Sequence, residues 1–86
     1  MTVVGMILKS QTQNTGTVFY RVVSIDKTLY TIKALCKIRK GFQTTMYTDA
    51  EESQIMQSEV GFNHLEATRK EIALVKTMID FVVHDR

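Results

Sequence analysis

At 86 residues the chain has material for one hydrophobic core and none for a second domain, so residues 1–86 form a single domain. Hydrophobic residues at 44% and charged residues at 23% exclude a disordered chain, and a single cysteine, Cys36, excludes an intrachain disulfide. The net charge of +2 hides two halves of opposite sign: Met1 to Thr48 holds seven basic residues against Asp26 alone, a net +6, and Asp49 to Arg86 holds four basic and eight acidic residues, a net −4. Either the halves neutralise each other by packing together, or the basic half meets an external anion.

Residues 1–8 are apolar without a basic leader and too few for a signal-peptide core, and no run approaches a membrane span. A cytoplasmic protein without a membrane partner is therefore expected. Residues 2–9 read as a short first strand, followed by a polar loop from Ser10 to Gly16. Thr17 to Ile25, rich in β-branched and aromatic residues, is the second strand. Asp26-Lys27 forms a two-residue turn into a third strand, Thr28 to Arg39, whose even positions Tyr30, Ile32, Ala34, Cys36 and Ile38 alternate with Thr31, Lys33, Leu35, Lys37 and Arg39. Lys40-Gly41 reverses the chain into a fourth strand, Phe42 to Thr48. These four strands, over about residues 2–48, predict an antiparallel meander.

Two helix starts follow. Asp49 can cap a first helix, with Glu52 closing a capping box, and Asn63 stands three residues before Glu66; Gly61 separates the two segments. The expectation is a short helix over 50–58 and a long one over 64–84, an α+β fold of order ββββαα with the long helix packed on the sheet. At 100° per residue, Leu65, Ile72, Leu74, Val75, Met78, Ile79, Phe81 and Val82 cover an arc of roughly 200°, wider than the ~100° stripe that one sheet buries. The surplus assigns Ile72, Leu74, Met78, Ile79 and Phe81 to an oligomer interface and makes a homodimer the expected assembly.

The sequence offers little for catalysis. Cys36 falls on the apolar face of a strand, where it reads as a small hydrophobe, and His64 and His84 fall at opposite ends of the expected helix, so no metal site is expected. Gly5, Gly16, Gly41 and Gly61 are isolated and make no phosphate-binding loop. Carboxylates Asp49, Glu51 and Glu52 are what a helix start favours in any case. No enzyme, catalytic residue or cofactor is expected.

The outer sheet face is more informative. With the turns above, Tyr20 pairs with Lys33, Val18 and Met46 with Leu35, Lys37 with Thr44 and Arg39 with Phe42. One face then displays Tyr20, Lys33, Lys37, Arg39 and Phe42 around an apolar middle. That set predicts a small binding protein, an inhibitor or accessory factor of the phage or mobile-element type that occludes a protein target. The alternatives are DNA or RNA binding by the same face, and an oligomer holding an anionic small ligand such as a nucleotide. The stretch from Gly16 to Asp49, with Arg39-Lys40-Gly41-Phe42-Gln43-Thr44 ahead of the expected helix, resembles the three-stranded sheet plus helix of integrase arm-type DNA-binding domains. The resemblance spans under half of the chain and lacks that family's aromatic residue near the first strand; it implies a fold and carries over no residue role.

Overall fold

The computed structural model describes residues 3–10, 16–39, 41, 43–47 and 50–84, with side chains as far as Met78. It is an α+β fold with, among the described residues, six strands, β1 (Ile7–Ser10), β2 (Thr17–Asp26), β3 (Leu29–Ile38), β4 (Thr44–Met46), β5 (Glu52–Met56) and β6 (His64–Glu66), and one α-helix, α1 (Arg69–His84). All strand pairings are antiparallel, in the order β4-β3-β2-β1-β6, with β5 also on β3. The meander of the first four strands is present. The two-helix expectation is corrected: residues 50–58 contain β5 and a short 3-10 turn (Gln57–Glu59), and the long helix starts after β6. The chain therefore also departs from the three strands followed directly by a helix that the integrase-like stretch implied.

Tertiary pairing accounts for β5. The ten-residue β3 meets β4 only over residues 36–38, so residues 29–33 leave an open edge that the next segment can pair. Ile55, placed opposite Tyr30, is buried with Tyr30 and Ile32, and this outweighs the weak helical preference of its neighbours. Glu52 accordingly opens a strand and caps nothing; Asp49, its expected partner, lies outside the described residues. In the same way Leu65 and His64 leave the expected helix for β6, where they pair with Lys9 and Ser10.

The helix start that does form is Thr68-Arg69-Lys70-Glu71. Glu71 N donates to Thr68 Oγ1 at 3.2 Å and Thr68 N donates to Glu71 Oε1 at 2.9 Å, a reciprocal capping box. Lys9 on β1 donates to both Glu71 oxygens, at 2.8 and 3.1 Å, tying the helix start to the sheet.

The sheet carries a core on each face. Ile7, Phe19, Cys36, Ala67 and Val75 form one, under α1, with Leu35, Ile38, Met46 and Ile72 packed against it. Leu8, Val22, Tyr30, Ile32 and Ile55 form the other, joined by Met6, Tyr20, Ile25 and Val60. Two irregularities in the β2–β3 ladder make this possible. Phe19 pairs with Cys36 but Tyr20 with Ala34, so Leu35 is an extra residue on β3; Val22 pairs with Ile32 but Ser24 with Thr31, so Val23 is extra on β2. An extra residue reverses the alternation beyond it. Of the even positions of β3, Tyr30 and Ile32 therefore reach one core and Cys36 and Ile38 the other, while Ala34, next to the extra residue, belongs to neither.

Turn placement also moves. Asp26 pairs with Leu29, which makes Lys27-Thr28 the turn, with Lys27 at φ 56°. On the other side of β3, Met46 pairs with Cys36 and Thr45 with Lys37, one residue away from the expected register, which puts Met46 on the helix-covered face. Gly16 has φ +107°, and a Cβ there would lie 2.6 Å from the Ile38 carbonyl oxygen, so this entry to β2 requires glycine.

Thr68→Ala and Glu71→Gln should each lower the unfolding free energy by about 1 kcal/mol in urea titrations, and the double variant should lose less than their sum. Partial burial opposes ionisation of Glu71, but hydrogen bonds from Lys9 and from the Thr68 backbone and hydroxyl, with the Lys9 charge, outweigh it and hold the carboxyl below its ordinary range. Its contribution is thus complete above the unfolded carboxyl pKa and is lost as pH falls through the lower folded one, so Glu71→Gln should flatten the acid limb of the stability profile.

Candidate binding groove

Helix α1 packs Ile72 and Val75 over Ile7, Phe19 and Cys36 on one face of the sheet. Further along that face the sheet opens into a groove of about 470 Å³ lined by Val4, Arg21, Val23, Lys33, Leu35 and Tyr47, among others. Backbone bonds fix its ends. Gly5 N donates to Val22 O at 2.8 Å and Val22 N to Met6 O at 3.0 Å, carrying the segment ahead of β1 alongside β2 and setting Val4 at one end. Tyr47 N donates to Leu35 O at 3.0 Å, setting Tyr47 at the other. The irregularity in β2 falls at Val23, which is 37% exposed, as is Tyr47; Val4 is 60% exposed. The result is an apolar trough crossed by two cations.

Those cations are direct cross-strand neighbours, Arg21 on β2 opposite Lys33 on β3, and both line the groove. Like charges in that relation repel and destabilise the pair. Among the described residues neither forms an ion pair, although Glu52 stands opposite Lys33 on its other side. The one ion pair between the basic first half and the acidic second half, among the described residues, is Lys9–Glu71. Packing of sheet against helix thus neutralises little of the charge division seen in the sequence.

The expected binding face is divided. Lys33 lies in the groove, but Lys37 pairs with Val18 and Thr45 beyond the irregularity at Leu35, and so belongs to the opposite face. Tyr20 is half-buried on that opposite face, against the second core and edge-on to the His64 ring at 5.4 Å. Burial pushes its hydroxyl pKa up, a hydrogen bond with Ser10 works against this, and Tyr47 adds to it. Arg39 is exposed and donates from Nη1 to Thr45 Oγ1 at 3.2 Å; Phe42 lies outside the described residues. The reason is register: Arg21, not Tyr20, stands opposite Lys33. Arg21, Val4, Val23 and Tyr47 were missed; moving the turn to Lys27-Thr28 alone would set Lys33 opposite Val22, and it is the extra residue Val23 that brings Arg21 opposite Lys33.

Of the helix residues assigned to an oligomer interface, Ile72 packs on the chain's own core, Met78 accepts a hydrogen bond from Thr44 Oγ1 at 3.1 Å, and Leu74 is half-buried. The side chains of Ile79 and Phe81 lie outside the described residues. Cys36 is fully buried, and that burial pushes its thiol pKa up, against thiolate chemistry. Among the described residues no three metal-binding side chains cluster, and no helix is long and apolar enough to cross a membrane.

Arg21→Glu should replace the repelling pair by an attracting one and raise the unfolding free energy by about 0.2–1 kcal/mol in urea titrations at low salt, with the gain shrinking as salt is added. No family model, curated protein or solved structure matches this chain.

Proposed function

We propose that the chain is a non-enzymatic binding protein that captures a partner protein in the groove and thereby occludes the partner's own working surface, as an inhibitor or accessory factor does. The observation that carries this reading is the pair Arg21 and Lys33, held together without an ion pair among exposed Val4, Val23 and Tyr47. Arginine and tyrosine beside aliphatic side chains make the anchors of protein interfaces, where burial of a few such groups supplies most of the binding energy. Exposed aliphatic residues around unpaired charges also mark a surface that gains by being covered. Binding along a nucleic-acid backbone draws less support, because Lys37 stands on the other face and, among the described residues, the groove is lined by two cations. Self-association through α1 also draws less support, since Ile72 and Met78 are engaged within the chain.

The test is capture of a partner from nuclease-treated host lysate by the tagged chain and by two charge-reversed variants. A partner retained by Lys37→Glu and lost by Arg21→Glu is the expected outcome, with a loss of about tenfold or more in affinity. Loss by Lys37→Glu with retention by Arg21→Glu would move the working surface to the opposite face and overturn the reading.

A further inference from the structure

Arg21 and Lys33 line the groove on β2 and β3, and Glu52 on β5 stands next to Lys33 in the same row, in register just outside the lining residues. Strands in a sheet lie about 4.8 Å apart, so an anionic group seated over Arg21 and Lys33 relieves their mutual repulsion and meets Glu52 if it extends further along the row. The neighbouring row on the open side, Ser24, Thr31 and Gln54, carries no charge, and the row on the other side, Phe19, Cys36 and Met46, belongs to the helix-covered face. The site therefore offers two positive charges, one adjacent negative charge and an apolar surround.

From this arrangement we infer that the groove takes an extended peptide segment with a single carboxylate between apolar side chains, and that Glu52 is its specificity residue, turning away ligands that carry a second negative charge nearby. The inference rests on the protein-capture reading above and names the chemistry of the captured segment. The carboxylate takes hydrogen bonds from the Arg21 guanidinium and the Lys33 ammonium, while flanking aliphatic side chains cover Val4, Val23, Leu35 and Tyr47. A phosphate backbone laid along the row, with a charge on every nucleotide, brings further negative charge towards Glu52. Discrimination of this kind comes from a repulsive element placed next to the attractive one.

Fluorescence anisotropy tests it with three labelled probes: a short peptide with one central glutamate flanked by valine and leucine, its glutamine counterpart, and a single-stranded oligonucleotide. The glutamate peptide should bind about tenfold tighter than the glutamine peptide, and Arg21→Glu should abolish that difference. Glu52→Lys should leave the glutamate peptide bound and raise oligonucleotide affinity about tenfold at low salt, with a steep fall as salt increases; Glu52→Gln should do the same to a smaller degree. Circular dichroism of each variant confirms that it is folded. Equal affinity for the two peptides, or binding of neither, overturns the carboxylate assignment, and an oligonucleotide affinity unmoved by Glu52→Lys overturns the role of Glu52. If the peptides fail while capture from lysate still depends on Arg21, the groove stands and the carboxylate falls; if capture is also indifferent to Arg21, both fall.

Discussion

One extra residue in β3 organises the molecule. A regular ten-residue strand puts every second side chain on one face, and Tyr30, Ile32, Cys36 and Ile38 would then all point the same way. With Leu35 inserted between the residues that pair with Phe19 and Tyr20, the strand serves one core with its first half and another with its second. The two cores use different covers: α1 lies on one, and the segment around Ile55 and Val60, with Met6, closes the other. For a chain of 86 residues this is an economical use of few apolar side chains, and the uncovered stretch beside α1 is what becomes the groove.

The groove also carries an electrostatic cost. Arg21 and Lys33 repel across the ladder, and the nearest carboxylate in register, Glu52, makes no ion pair with either. Elsewhere the chain shows what a settled contact looks like: Glu71 takes charge-assisted hydrogen bonds from Lys9 and Thr68 at once. The contrast between this unsatisfied pair of charges and a fully bonded ion pair is what the proposal of a partner surface rests on, in line with the trade between stability and function.

Much of the sheet is legible in the sequence. The β-branched and aromatic run from Thr17 and the alternation after Leu29 locate β2 and β3 within one residue at each end, because local preference and burial agree there. The segment after Asp49 is misread because its signals conflict: Asp49 and Glu52 have capping spacing, yet Ile55 is wanted by a core 20 or more positions back in the chain, and only the unpaired edge of β3 reveals that. The Thr68 to Glu71 spacing carries the correct helix start and was readable, but Asn63 and Glu66 offer the same spacing earlier. The site is less legible than the fold. Neither extra residue, Val23 or Leu35, has a marker in its residue type, and each redirects a whole row of side chains.

Strand β1 lies between β2 and β6, and Lys9 reaches a carboxylate 62 positions further on. The hairpin of β2 and β3 closes over a two-residue turn and can form as soon as it is made, whereas β1 cannot gain its second neighbour until the last third of the chain exists. A ribosome that has made β1 to β4 therefore holds an exposed, half-assembled sheet: the core around Tyr30 and Ile32 gains Ile55 and Val60 next, and the core around Phe19 and Cys36 stays open until β6 and the helix behind it arrive.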